Sequence, residues 1–167
     1  MKRTSHIAGL LVAMALLCLG TAACSDDSCY DNGSSLPLAE FYIGHSKQTV
    51  PELTIKGIGA PGDSLLADSM SLNEIYLPLR ASMGSTSYAL DRKVYINGVS
   101  TLMHDTIAFD YQPIEFFHSI ECGAMYNFDI KRVTATNLAI DSVVVLTPLV
   151  TNSRTPALRI YFTDFTL

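Results

Sequence analysis

The chain has no tryptophan among its 167 residues. This excludes the pairing of a core Trp with an intersheet disulfide that marks antibody domains. It also removes the side chain best suited to stacking on sugars. Charge is sparse, at 16% of residues, and cations are fewer than anions, 11 against 16. Setting aside Lys2 and Arg3 leaves 9 basic against 16 acidic residues, a net of −7. Scattered cations in an acidic chain offer no stripe for a phosphate backbone, so no nucleic acid is expected as a partner. After residue 24 no apolar run approaches the roughly 20 residues needed to cross a bilayer. Apolar spacing of three and four is also missing beyond that point, which excludes a helical domain. There is no internal repeat and no low-complexity segment.

What is present begins with a leader. Lys2 and Arg3 precede an uncharged, mostly apolar run from Ile7 to Leu19, then Gly20, Thr21, Ala22 and Ala23. That is the layout of a secretory signal peptide over 1–23. Cys24 follows directly. The segment resembles a bacterial lipobox, in which the cysteine after small residues is lipidated and becomes the first residue of the mature protein. Thr21 stands where that pattern usually has Leu. The alternative is an ordinary signal cut near Ala23 that releases a soluble periplasmic protein. Several acyl chains would anchor stably, at about 0.8 kcal/mol per buried CH₂. Ser25-Asp26-Asp27 resembles the signal by which Bacteroidota lipoproteins reach the outer face of the outer membrane; read plainly, it is a solvated acidic tether. Residues 24–36 are expected to be that tether, and 37–167 the folded domain.

Four cysteines are present. Cys18 leaves with the leader and Cys24 takes lipid. Cys29 and Cys122 remain, exported to an oxidising compartment where a disulfide persists. A bridge between them closes a loop of about 94 residues and is worth roughly 4.6 kcal/mol in the chain-entropy model. Two free thiols are the alternative. A zinc site would need three or four ligands at suitable spacing, which the sequence does not supply.

The rest alternates with period two, the mark of half-buried strands. Ala39, Phe41 and Ile43 form one stripe and Leu53 and Ile55 another. Ile75, Leu77 and Leu79 form a third, where Pro78 demotes the strand to a short or edge position. Val94 and Ile96 lead into Asn97-Gly98, a tight-hairpin signal. Ile107, Phe109 and Tyr111 follow. Cys122, Ala124, Tyr126, Phe128 and Ile130 make the longest stripe, expected to face the core. Val143-Val144-Val145 suits a strand buried on both faces. Leu158, Ile160 and Phe162 close the series. Ser71-Leu72-Asn73-Glu74 has the form of a capping box, with at most one helical turn to follow. Many short strands divided by turn residues predict an all-β fold, an immunoglobulin-like antiparallel β-sandwich of seven to nine strands.

Several segments together carry a resemblance. They are the early Cys29, the Ile75-Tyr76-Leu77-Pro78-Leu79 strand, and Asp105-Thr106-Ile107-Ala108-Phe109-Asp110-Tyr111. Phe116-Phe117 leading to Glu121-Cys122-Gly123, and Asp141-Ser142-Val143-Val144-Val145, belong with them. Over Cys24 to Phe162 the chain resembles a family of small Bacteroidota lipoproteins with a single uncharacterised all-β domain. The resemblance implies a cell-envelope lipoprotein and transfers no site residues.

A catalytic set is not visible. His45, His104 and His118 remain after the leader. His104-Asp105 has the composition of half a Ser-His-Asp triad, but geometry decides such a role and no Gly-x-Ser-x-Gly elbow is present. His118 and Cys122 have thiol–base spacing. Gly59-Ala60-Pro61-Gly62-Asp63-Ser64 lacks a phosphate-loop lysine and reads as a surface turn. Asp63, Asp68, Asp105, Asp110 and Asp129 do not form an EF-hand, although a calcium site assembled from separate loops stays open. Tyr42, Tyr76, Tyr88 and Tyr95 are expected to be exposed, or else to cover a sheet. No cofactor and no enzymatic activity are expected. The expected role is a non-enzymatic binding or structural accessory of the outer membrane, held by its lipid anchor and facing the surface or the periplasm. Its expected partner is an envelope protein, or, in a carbohydrate- or glycoprotein-binding alternative, a glycan.

Overall fold

A computed structural model describes residues 35–120 and 123–165. Cys24, Cys29 and Cys122, with the leader and most of the tether, lie outside the described residues. Among the described residues, eleven strands form two sheets. They are β1 (Leu38–Ile43), β2 (Ser46–Lys47), β3 (Val50–Gly57), β4 (Leu65–Leu72), β5 (Glu74–Tyr76) and β6 (Ser85–Ile96). Then come β7 (Val99–Ser119), β8 (Gly123–Ala135), β9 (Ile140–Val145), β10 (Leu149–Val150) and β11 (Pro156–Phe162). The larger sheet runs β10-β8-β7-β6-β3-β4. The smaller runs β2-β1-β11-β9, with β5 also pairing β1. The all-β sandwich expected from the alternation is the fold. The strand count exceeds seven to nine because β2, β5 and β10 are edge pieces of two or three residues, too short to show a period. One pairing is parallel rather than antiparallel, β1 with β11, in register Phe41↔Ile160 and Tyr42↔Tyr161.

The inward stripes meet in one core. Phe41, Leu158, Ile160 and Phe162 of the small sheet pack toward Leu53, Ile55, Ile107, Phe109 and Ile130 of the large one. Phe41 meets Phe162 edge-on at 5.4 Å, and Tyr111 meets Phe128 at 5.4 Å and 88°. Such T-shaped pairs add about 0.5–1.5 kcal/mol beyond area burial. The Asn97-Gly98 hairpin forms as expected, both residues at positive φ (52° and 78°), closing Ile96 onto Val99.

Two local readings are corrected, and a third is narrowed. In β8 only Phe128 and Ile130 of the long stripe are buried, while Ala124 and Tyr126 are exposed. Asp110 pairs Arg132 but Tyr111 pairs Ile130, so Lys131 is an extra residue. This bulge reverses the parity of the strand and turns Val133 and Ala135 inward. The triple valine lies in β9, an edge strand, with Val144 42% exposed, so it is not buried on both faces. Ser71–Glu74 starts no helix: it joins β4 to β5 through a bend at Asn73, and the one helical turn described is a 3-10 turn at Pro61–Asp63. The surface turn read at 59–64 is that turn.

Polar groups hold the chain where it crosses between sheets. Asp105 is buried on β7 and accepts from the N–H groups of Leu138 (2.9 Å), Ala139 (2.6 Å) and Ile140 (2.9 Å). The Thr136 hydroxyl donates to it at 2.7 Å. These residues carry the chain from β8 in one sheet to β9 in the other. A second node fixes the passage from β5 to β6: the Tyr88 hydroxyl donates to the Pro78 carbonyl, and Tyr111 donates to the Arg80 carbonyl at 2.9 Å.

Candidate functional site

Every second residue of β1 and β11 points away from the core, and the parallel register sets these residues side by side. Tyr42 lies beside Tyr161, ring centroids 5.3 Å apart and tilted 43°. Glu40 lies beside Arg159. The Arg159 guanidinium sits 5.0 Å from the centre of the Tyr42 ring, a cation–π contact. Its Nε is 3.8 Å from Glu40 Oε2. From the strand edges, Lys47 of β2 donates to Glu40 at 2.9 Å and also bonds Glu74 of β5. The Lys47 ammonium is held above its ordinary pKa, first by Glu74 and then by Glu40. The Tyr42 hydroxyl donates to Glu40 at 3.4 Å.

The strip continues into a shallow basin of about 450 Å³ walled by His45, Asp141, Ser142, Val144 and Tyr161. His45, Asp141 and Ser142 are exposed, and Tyr161 belongs to both strip and basin. Two aromatic faces, two cations and carboxylates thus share one sheet face. Such a surface can stack on a planar or pyranose face and hydrogen-bond around it. Within the basin the Ser142 hydroxyl donates to Asp141 at 3.0 Å rather than to His45.

The other concavities are built differently. A cleft of about 250 Å³ is lined by Gly57, Pro61, Leu66, Leu79, Arg80 and Tyr88. Its polar groups are committed to its own walls: Arg80 bonds the Ile58 carbonyl, and Thr86 lies 2.7 Å from the Tyr111 hydroxyl. Burial, and then the neighbouring Tyr111, push the Tyr88 phenol well above its ordinary pKa. A third hollow of about 340 Å³ is lined by Pro51, Glu52, Arg92, Lys93, Tyr95 and Phe165. There Arg92 is 6% exposed and stacks 5.4 Å from Phe162, its Nη1 donating to the Thr163 carbonyl at 2.9 Å. Burial lowers its pKa, and Asp164 opposes that shift.

The residues singled out from sequence do not converge. His104 Nδ1 pairs with Asp91 at 2.7 Å on the exposed face of the β6–β7 hairpin. Asp105 points into the core, since neighbours on a strand take opposite faces, so the His104-Asp105 pair forms no triad. His45 borders the basin. Cys24, Cys29 and Cys122 are outside the described residues, and so is one partner of the His118–Cys122 spacing. Of the tyrosines expected to be exposed, Tyr76 (38%) and Tyr95 (58%) are, and Tyr42 is half-buried. Tyr88 is not: it is 3% exposed, because the inward parity of β6 places it over Phe109. Asp110 pairs Arg132 and Asp129 pairs Lys131. Among the described residues no three His, Cys, Asp or Glu side chains are grouped to hold a metal ion, and no helix is long and apolar enough to cross a membrane.

Sequence reasoning missed Arg159, Tyr161, Glu40 and Lys47 as members of one site. A signal was present: the outward positions of the last stripe are Arg159 and Tyr161, an unusual choice for a merely solvated face. Their neighbours could not be read, because β1 and β11 are joined only by the fold.

No curated protein and no solved structure matches the chain. One family model does, over residues 52–162, from within β3 to the end of β11. The match includes Arg159, Tyr161, Asp141 and Glu74 and leaves Glu40, Tyr42 and Lys47 outside it. The chain belongs to DUF6452, a family of unknown function.

Proposed function

We propose that this protein is a lipid-anchored, non-enzymatic binding module of the bacterial outer membrane, an accessory to an envelope or surface complex. The anchor would be lipid on Cys24, with Cys29 and Cys122 forming a bridge, both argued from sequence alone. The recognition surface would be the outer face of the small sheet. The observation that carries this reading is the strip in which Arg159 lies over Tyr42 beside Tyr161. Aromatic and arginine side chains are the residues in which binding energy concentrates. The commitment of Asp105 to backbone amides, which separates it from His104, favours binding over catalysis.

Cross-linking the tagged full chain in cells, with and without the Arg159→Ala/Tyr161→Ala pair, tests it. Both side chains are partly exposed, so stability should change by less than about 1–2 kcal/mol. A specific partner should be captured about tenfold less well. Undiminished capture of every partner would sink the proposed surface. A reproducible turnover abolished by replacing His104 or His118 would overturn the non-enzymatic role.

The two tyrosine faces with carboxylates beside them also favour a second reading, a carbohydrate- or glycoprotein-binding module using the same strip. A glycan array should then give hits that weaken with Tyr42→Ala. An array without hits would remove this reading and leave the first.

A further inference from the structure

β7 is 21 residues long and outruns its neighbours. β6 pairs it only as far as Asp110, and β10 touches β8 only at Phe128 and Asp129. Beyond these points, β7 from Gln112 and β8 up to Asn127 form a two-stranded ribbon. An isolated pair of strands is marginal in water unless something covers an apolar face. This ribbon is apolar on both faces. Ile114 is 38% exposed, Phe117 69% and Ile120 88%, while Phe116 pairs Met125 and Phe117 pairs Ala124. The Glu115↔Tyr126 pair bounds this end. Past it, residues 116–120 and 123–125 include no Asp, Glu, Lys or Arg. Glu121 lies outside the described residues.

A second apolar tip exists at the opposite end of β7, where Tyr95 (58%), Val99 (64%) and Leu102 (52%) are exposed. Where the chain enters the domain distinguishes the two. Ser35 is 3% exposed, and its hydroxyl donates to Asn127 Oδ1 at 2.8 Å, at the base of the β7–β8 ribbon. Ten residues, Ser25–Ser34, separate it from Cys24. At about 3.5 Å each they reach at most roughly 35 Å. The ribbon tip lies within about five residues of Asn127, or roughly 17 Å, whereas Val99 is some fifteen residues along β7 from Ile114, roughly 50 Å. Polar Ser25–Ser34 carries little to cover Phe117 and Ile120.

We propose that the β7–β8 tip inserts into the surface of the lipid bilayer as a second, non-covalent membrane contact. Phe117 and Ile120 would enter the acyl boundary. Tyr126 would sit at headgroup level, where amphipathic rings concentrate, and Glu115 would limit the depth. This takes the anchor at Cys24 from the reading above.

The absence of Trp makes the test direct. Full-length Phe117→Trp and Val99→Trp proteins each carry one reporter at an exposed position. They are mixed with phosphatidylethanolamine/phosphatidylglycerol vesicles, and intact mass reads the acyl group independently. Trp at 117 should shift to the blue on vesicles and be quenched by acyl-brominated lipid, while Trp at 99 should do neither. Phe117→Ala should partition about tenfold more weakly in its non-covalent contact. Unquenched Trp at 117 in the presence of vesicles would overturn the proposal, as would equal quenching at 99. A blue emission at 117 without vesicles would mean that the tip is covered by its own chain or by a second copy, and would overturn it too. Insertion by protein whose mass shows no acyl group would sink the Cys24 anchor and leave the tip standing.

Discussion

Asp105 illustrates how one side chain can fix a crossing between sheets. Its carboxylate satisfies three consecutive backbone N–H groups, of which those of Ala139 and Ile140 would otherwise be buried and unpaired, and hydrogen bonds to a charged acceptor are the strong kind. Asp105→Ala should therefore cost about 3–5 kcal/mol, read as a lowered urea midpoint at unchanged slope. A loss below about 1 kcal/mol would show that the Thr136–Ile140 segment is held by something else. Tyr88 gives a pH-dependent prediction. Its folded pKa is raised, chiefly by burial, so the folded state holds that proton more tightly than the unfolded chain. Its contribution is complete below the ordinary phenol value of about 10 and is lost as pH rises toward the folded one. Lys47, also raised, acts in the same direction. Tyr88→Phe should cost about 1 kcal/mol at neutral pH. It should also flatten the fall in stability between roughly pH 10 and 12, followed by denaturant unfolding across that range. An unchanged alkaline slope would contradict the assignment to Tyr88.

Among the elements, bulges decide what period two cannot. The stripes at Phe41, Phe109 and Ile160 are legible because those strands keep their parity through the core. In β8 the parity breaks at Lys131, and in β3 Val50 and Leu53 both turn inward across Glu52, which takes a φ of 52°. The break in β8 has no Gly or Pro to announce it in the sequence, whereas Pro51 stands inside the break in β3. Lys131→Ala should cost under about 1 kcal/mol, since it removes only an exposed ion pair with Asp129. Inserting an alanine after Arg132 should cost several times more, because a one-residue slip past the bulge turns Val133 and Ala135 out of the core. Thermal unfolding of the two variants separates these outcomes, and equal midpoints would mean that the bulge carries no register information. The misread valine triplet has a related cause: a run of β-branched residues reports strand propensity, and position in the sheet then decides burial.

For the whole molecule, the proposed functions depend on which surface meets the membrane and which stays free. Treating intact cells with protease, after mass has established lipid on Cys24, should remove the domain rapidly while the membrane is sealed. Protection until the membrane is opened would place the domain in the periplasm and direct the partner search there. Peptide mapping of unreduced protein should yield a fragment joining Cys29 to Cys122; two free thiols would remove the bridge.

Periodicity by itself determined the all-β class, the main inward stripes and the Asn97-Gly98 turn, because these depend on residues two apart or adjacent. The leader and the cysteine following it were likewise legible as expectations, being local patterns of charge and size. Only the tertiary structure decided the rest. The parallel pairing of β1 with β11 joins segments more than a hundred residues apart, and that long-range contact makes neighbours of Tyr42, Tyr161 and Arg159. The same dependence separated His104 from Asp105, drew Tyr88 into the core, and left the end of β7 without a third strand. Side-chain alternation fixes which way a residue points. What it meets there is set by strand order, which a single strand does not encode.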